Sequence, residues 1–344
     1  MSPRRLELII LPTEQCNFRC TYCYEDFEIG QMSEQTIAAI KQLIVKRLPG
    51  LRHLELSWFG GEPLMAKEVV LELCAFAQQQ CAQAGVSFGS NMTTNAFGLD
   101  PASFATLVQL GVSGYQISLD GDEDEHNQTR KLISGRGTFH KIWANLLAMR
   151  AHASAFHIML RLHIRQDNVD SLRALLHKIH AAFGADARFT IFMKAVGNWG
   201  GEGVKQVALS ENPKQVIAQF NTELEAMDWF APRRNKDVAE SDGGGFTPCY
   251  ASKPNSFVIR ADGRLAKCTV AFGDPRNHIG QINPDGTLLI ENDKMRSFMR
   301  GMESMDESAL GCPMRNMPKL ETVQVIKFEK STALARAQAQ PQPA

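Results

Sequence analysis

The chain has 344 residues, with 37 Lys plus Arg against 37 Asp plus Glu, a formal charge of zero, 44% hydrophobic and 22% charged residues. That is the composition of a soluble globular protein with room for one large domain and a smaller one, and it excludes a disordered linker. Without a basic surplus, a general nucleic-acid-coating role loses its support.

The opening Met1-Ser2-Pro3-Arg4-Arg5 has the charge of a secretory signal. However, the apolar run over residues 6–11 is short, holds Glu7 and meets Pro12 and Glu14, so it reads as a first strand. No stretch approaches the roughly 20 apolar residues of a membrane-spanning helix, and the expectation is a cytoplasmic protein with neither membrane nor nucleic acid as partner. Further strands are expected over residues 53–59, 86–93, 115–120, 156–165 and 189–194, and helices over 33–48, 65–85, 101–110, 139–153 and 169–183. Strands taking turns with helices predict an α/β fold with a parallel sheet, curled into an open, partial (β/α)6 barrel with helices outside.

Strand polarity adds a functional hint. Along residues 156–165 one parity is Ile158, Leu160, Leu162 and Ile164, and the other is His157, Met159, Arg161, His163 and Arg165. In residues 115–120 the polar parity is Gln116, Ser118 and Asp120. With helices outside, the polar parity faces a lumen, which implies a polar ligand there.

Beyond residue 197 the pattern breaks into glycine-rich loops at 200–203 and at Asp242-Gly243-Gly244-Gly245, with a helix over 213–227 between them. A hairpin over 256–269 turns at Ala261-Asp262-Gly263. The expected layout is a partial barrel over 1–205, a small cysteine-bearing region over 206–325, and a disordered tail over 326–344 that ends rich in Ala, Gln and Pro.

The eight cysteines, in a reducing compartment, point to metal or catalytic chemistry rather than disulfides. Three of them, Cys16, Cys20 and Cys23, are separated by three and then two residues in the loop after the first strand. Such a loop lies at the carboxyl end of a barrel strand, where these folds place active sites. Three neighbouring thiolates can hold three irons of a [4Fe-4S] cluster and leave the fourth open to a substrate or cofactor. A zinc site would bring a fourth Cys or His nearby, and none follows. Cys74 and Cys81, seven apart in a helical stretch, read as core residues.

With Tyr22 before the last cysteine, this motif resembles the signature of the radical S-adenosylmethionine (SAM) enzymes. Four later segments fit the same family. Gly60-Gly61-Glu62-Pro63 resembles its glycine-rich turn, whose backbone and acid meet the amino group of SAM. Thr93-Thr94-Asn95 is similar to its polar strand end, and Ser118-Leu119-Asp120-Gly121 to the strand end whose serine contacts the SAM ribose. Arg130, in His126-Asn127-Gln128-Thr129-Arg130, stands where relatives place an arginine near SAM. The resemblance implies that Tyr22, Gly61, Glu62, Thr94, Asn95, Ser118, Asp120 and Arg130 hold SAM. It further implies that SAM is cleaved to a 5'-deoxyadenosyl radical that takes a hydrogen atom from the substrate. Arg161, His163 and Arg165, by strand parity, are expected to hold or orient substrate.

A second set, Cys249, thirteen residues, Gly263, four residues, Cys268 and forty-three residues to Cys312, resembles the opening half of a SPASM domain or its shorter twitch relative. Ile279-Gly280-Gln281-Ile282 resembles its connecting segment. A full SPASM domain would bring more cysteines after Cys312, where Met314, Arg315 and Met317 stand. The resemblance therefore implies one auxiliary [4Fe-4S] cluster on Cys249, Cys268 and Cys312, its fourth iron open or held by a non-cysteine group, for which His278 is a candidate. Three buried core thiols are the plain alternative.

An auxiliary cluster implies a net oxidation or a substrate held on iron. Ser134-Gly135-Arg136-Gly137 with Thr138-Phe139 and Asn145-Leu146 resembles the peptide-modifying branch, so the expected substrate is a peptide or protein that gains an oxidative thioether or carbon-carbon crosslink. The runner-up is a twitch-type small-molecule dehydrogenase or cyclase. A sulfatase maturase fits less well, because Thr269 stands where that group has an Asp base, and a non-enzymatic iron-sulfur scaffold would not need the SAM-binding strand ends. Expected partners are an electron donor such as flavodoxin or ferredoxin and, with the first strand so near residue 1, either a separate leader-binding adaptor or recognition by the barrel mouth or the region after Gly197.

Overall fold

A computed structural model of the chain describes residues 4–201, 203–227, 229 and 246–318. The glycine run at 242–245 and the tail over 326–344 lie outside the described residues. In chain order the first half is β1 (Arg5–Ile10), α1 (Glu34–Arg47), β2 (His53–Trp58), α2 (Lys67–Ala84), β3 (Ser87–Thr94), α3 (Pro101–Gln109) and β4 (Val112–Leu119). It continues with α4 (Glu123–Thr129), α5 (Phe139–Ala151), β5 (His157–Ile164), α6 (Val169–Phe183) and β6 (Phe189–Ala195). The second half holds α7 (Pro213–Ala226), β7 (Ser256–Ile259), β8 (Arg264–Ala266), β9 (His278–Ile282), β10 (Leu288–Ile290), α8 (Asn292–Met299) and α9 (Glu307–Gly311).

Strands β1 to β6 lie side by side in chain order and all pair in parallel. The helical segments start on local signals. Ser33 caps α1 by accepting from Thr36 N, and Asp100 caps α3, with Pro101 next, by accepting from Ser103 N, each cap adding about 1 kcal/mol. Covered by these helices, Ile158, Leu160, Leu162 and Ile164 on β5 are fully buried, as are Leu54 and Leu56 on β2 and Ile117 and Leu119 on β4. Cys74 and Cys81 pack in this core at 0% and 1% exposure.

The sheet does not close. It runs β10-β9-β8-β7-β1-β2-β3-β4-β5-β6, so β6 ends it on one side and the second half extends it on the other. The expected second region is therefore joined to the barrel by its strands: β7 pairs in parallel with β1 from Glu7↔Ser256 to Ile10↔Ile259. This covers the edge that β1 would otherwise expose. Strands β7 and β8 form the expected hairpin, with Gly263 in the left-handed region at φ 82°.

Helix α4 is an element the sequence reading passed over. Its signal is local: Asp122 caps it by accepting from Glu125 N, and three acids, Glu123, Asp124 and Glu125, follow in its first turn. Among the described residues no helix is long and apolar enough to cross a membrane.

Candidate active site

A cavity of about 450 Å³ opens at the carboxyl ends of the parallel strands. Cys16, Cys20 and Cys23, in the loop after β1, all line it. The loop is tied to the segment after α4, since Arg19 N donates to Lys131 O and Thr21 N to Thr129 O, at 2.9 and 3.0 Å. The Gly60-Gly61 turn presses on its other side. A Cβ at Gly61 would stand 2.4 Å from Gln15 O, and one at Gly60, where φ is 116°, 2.4 Å from Thr13 O, so only glycine lets the two segments meet.

Burial raises all three thiols, and pushes Cys16 and Cys23 up to about 12, with neighbouring cysteines adding to each rise. A group that keeps such thiols ionised must supply the missing positive charge, as a metal does. Among the described residues no three Cys, His, Asp or Glu side chains close on a point that would hold a single ion. Three thiols sharing a cavity wall without converging fit a cubane, with one iron for each, and suit zinc poorly.

Beside the thiols lies a buried polar network. The Tyr22 hydroxyl donates to Asp120 Oδ1 at 2.8 Å and accepts from Arg130 Nη1 at 3.0 Å. The His163 ring packs edge-on against Tyr22, and its Nδ1 lies 3.1 Å from Asp120 Oδ1. Thr129 Oγ1 donates to Asp120 Oδ2, and Asn168 Nδ2 to the carbonyls of Asp120 and His163, so β4 and β5 are locked together at this end. Tyr22, Gly61, Thr94, Asn95, Ser118, Arg130 and His163 line the cavity.

Two expected SAM contacts sit differently. Glu62, 2% exposed, accepts from Thr94 Oγ1 and Asn95 N at 2.7 Å and from Leu64 N at 3.0 Å, so its carboxylate holds the wall together from behind. Asp120, wholly buried, orients Tyr22 and His163 from behind. Burial works to raise Asp120, but the hydrogen bond and charge of His163 and the charge of Arg130 outweigh it and hold the carboxyl well below the usual carboxylate range.

Burial lowers both neighbouring histidines, His163 to about 4 and His126 to about 3. Arg161 adds to the shift of His163 against the pull of Asp120, and Arg130 adds to that of His126. Both rings are neutral in the fold at neutral pH, while an unfolded histidine takes up its proton near pH 6.5. Stability is therefore lost as pH falls from about 6.5 towards the folded values. Asp120, depressed, loses its contribution on further acidification. Thermal melts from pH 7 to 4 should show a falling Tm, and His163→Gln should make that fall shallower. A His163→Gln profile parallel to the parent's would contradict this.

Of the residues expected from β5, Arg161 and His163 line the cavity and Arg165 does not. Strand β5 ends at Ile164, so the alternation that would carry Arg165 inward stops one residue short. Its guanidinium instead pairs with Glu125 of α4, with Asp167 at 3.4 Å.

The second cysteine set does not itself line the cavity. Cys249 N donates to Leu310 O, Cys268 N to Asn277 Oδ1 and Cys312 N to Ser308 O. Cys249 and Cys268 are raised chiefly by burial and further by the Cys312 charge, which places the three thiols within electrostatic reach of one another. Tyr250, Thr269 and Val270, directly after two of these cysteines, line the same cavity as Cys16, Cys20 and Cys23. The first cysteine set thus lines the chamber, and the second reaches it through the residues that follow Cys249 and Cys268. The exposed His278 has Nε2 at 3.0 Å from Gly280 O, within its own strand.

The sequence reading missed Tyr24, Glu25, Trp199, Tyr250 and Asn168. All but Asn168 line the cavity. Burial, then the Glu14 charge, push the Glu25 carboxyl up to about 8. A signal was present for three of them, since Tyr24, Glu25 and Tyr250 follow metal-spaced cysteines within two residues.

Comparison with known proteins agrees with this geometry. The Radical SAM superfamily model matches residues 10–179. The GTP 3',8-cyclase of Microcystis aeruginosa is 33% identical over 292 residues, which cover 78% of this chain and 81% of that one. The serine-type anaerobic sulfatase-maturating enzyme of Klebsiella aerogenes is 24% identical over 168 residues, 47% of this chain and 41% of that enzyme. The chain spans less than half the length of the sulfatase-maturating relatives it matches. Among solved structures, anSMEcpe with bound AdoMet and the Cp18Cys peptide superposes with a TM-score of 0.65 at 17% identity, over 87% of this chain and 82% of that one. Streptococcus suis SuiB bound to S-adenosylmethionine gives 0.54 at 11% identity, over 86% and 65%. At such identities these two likenesses show the fold.

Proposed function

The chain belongs to the radical SAM superfamily, and from that premise we propose that it modifies a peptide or protein substrate by hydrogen-atom abstraction. The family's [4Fe-4S] cluster and SAM, when bound, supply reductive cleavage of SAM and an abstracting 5'-deoxyadenosyl radical. Cys16, Cys20 and Cys23 would hold the cluster. Gly61, Ser118 and Arg130 line the wall where SAM would lie, with Arg130 fixed by its bond to Tyr22. Glu62 and Asp120 keep that wall rigid from behind, which excludes water and preserves geometry. Cys249, Cys268 and Cys312 would hold one auxiliary cluster, which when bound would supply an electron acceptor for a net oxidation.

The charge balance of the cavity carries the choice of substrate. Its lining cations are Arg130, already engaged by Tyr22, and Arg161, and its lining acids are Glu7 and Glu25. A nucleoside triphosphate brings several negative charges and needs a cluster of cations or a metal to match them. A peptide does not. Half-exposed Trp199 at the cavity, among Gly197, Gly200 and Gly201, adds an aromatic surface of the kind that peptides use. The solved relatives anSMEcpe and SuiB carry peptides, Cp18Cys and SuiA. Thr269, bonded to the Tyr250 hydroxyl, offers no carboxylate for the proton-abstracting step of a sulfatase maturase.

A second reading, a small-molecule cyclase, has the GTP 3',8-cyclase similarity in its favour. Anaerobic reconstituted protein with SAM, reductant and either a precursor peptide encoded beside its gene or GTP separates the two. Loss of two hydrogens from the peptide, with stoichiometric 5'-deoxyadenosine, is the expected result. Turnover of GTP alone would replace it with the second reading. A flavodoxin or ferredoxin as donor and a separate adaptor for the peptide's leader complete the proposal.

A further inference from the structure

Two ionisable side chains of the cavity lack partners. Arg161 lines it with Nε buried and unbonded, and no described carboxylate pairs with its guanidinium. Glu25 lines the same cavity with Oε1 buried and unbonded. The two do not pair with each other, although the Tyr24 hydroxyl is close enough to feel both charges. Arg130 and Arg165 also leave Nε unbonded, but each has a partner at a terminal nitrogen, Tyr22 and Glu125, and Arg260 has Glu14, whereas Arg161 has none. Leaving a buried guanidinium and a buried carboxyl oxygen unmatched is costly unless a ligand matches them.

Resting on the peptide reading above, we infer that Arg161 and Glu25 form a substrate-reading pair: Arg161 takes the carboxylate of an acidic residue in the peptide, and Glu25 accepts an N–H beside it. A single carboxylate suits one guanidinium, which can grip it through two parallel N–H donors. Glu25 serves as acceptor whether or not its carboxyl carries a proton. SAM has partners of its own among the lining residues, Arg130, the Gly60-Gly61 turn and Ser118, the last of which sits across the β4–β5 pair from Arg161.

The test uses reconstituted holoenzyme with SAM, reductant and pools of capped hexapeptides that differ at one position, Glu or Asp against Gln or Asn, reading 5'-deoxyadenosine release. Acidic pools should show a KM lower by about tenfold or more than their amides, the range of a charge-assisted hydrogen bond. Arg161→Gln should erase that preference, Arg161→Lys should restore part of it, and Glu25→Gln should raise KM for acid and amide pools alike. Equal stimulation by acid and amide pools, or a preference that survives Arg161→Gln, overturns the pair and leaves the peptide reading standing. Weakened SAM binding in Arg161→Gln, measured by equilibrium dialysis, also overturns it by assigning Arg161 to the cosubstrate. Failure of every peptide pool to stimulate release, with or without stimulation by GTP, sinks the peptide reading and this inference with it.

Discussion

Replacing Cys16, Cys20 and Cys23 together by Ala should abolish 5'-deoxyadenosine release and lower bound iron from about eight to about four per chain, one cubane remaining. The effect is all-or-none because the three thiols line one cavity with Tyr22, Ser118 and Arg130, and His163, which also lines it, is already held by Asp120 and Tyr22. Folding should survive, since the loop keeps its main-chain bonds to Thr129 and Lys131, and small apolar side chains replace partly buried thiols. Iron analysis and anaerobic turnover check both halves of the prediction. SAM cleavage at the parent's rate would refute the assignment, and loss of all iron would show that the second cysteine set holds no cluster of its own.

Arg260→Met should cost about 3–5 kcal/mol of stability. The Arg260 guanidinium, 6% exposed, stacks on Phe272 and forks onto Glu14, whose carboxylate is fully buried, with Nε 2.9 Å from Oε1. Removing one partner leaves Glu14 charged in an interior that cannot solvate it. The location magnifies the consequence. Glu14 stands two residues before Cys16 and Arg260 directly follows β7, so the pair ties the cysteine loop to the second half of the molecule. Adding Glu14→Gln to Arg260→Met should recover most of the loss, since replacing both members of a buried pair is often near neutral. Chemical denaturation of the parent and the two variants measures this. A single Arg260→Met variant within about 1 kcal/mol of the parent would show that water reaches Glu14.

The metal-spaced cysteines, the glycine turn and the polar strand ends were legible because each is a short segment that carries its own signature and sits at the end of a strand. Chain order along a parallel sheet then brings such segments together, since every β1-to-β6 strand delivers its carboxyl end to the same side. The roles of Glu62 and Asp120 were not legible in the same way. Both belong to recognisable motifs, yet both carboxylates turn into the wall, where Thr94, Asn95, Tyr22 and Thr129 claim them. A motif shows which residues come near a ligand; their rotamers depend on hydrogen-bond donors from other strands.

Arg165 illustrates the limit of periodicity. Alternation holds only while backbone remains extended, and the strand stops at Ile164, after which Asn168 Oδ1 captures the Arg165 amide at 2.8 Å.

Period-two and period-3.6 patterns sufficed for the parallel strands and most of their covering helices, and the resemblance of short motifs to those of a known family for the radical SAM identity, because all of these are carried by residues near in sequence. Three features needed the folded chain: the continuation of the sheet from β1 into β7, the meeting at one chamber of the Cys16–Cys23 loop and the residues that follow Cys249 and Cys268, and the unpartnered state of Arg161 and Glu25. Each depends on which distant groups a side chain or edge meets. The local sequence does not encode the partner that burial finally provides or withholds.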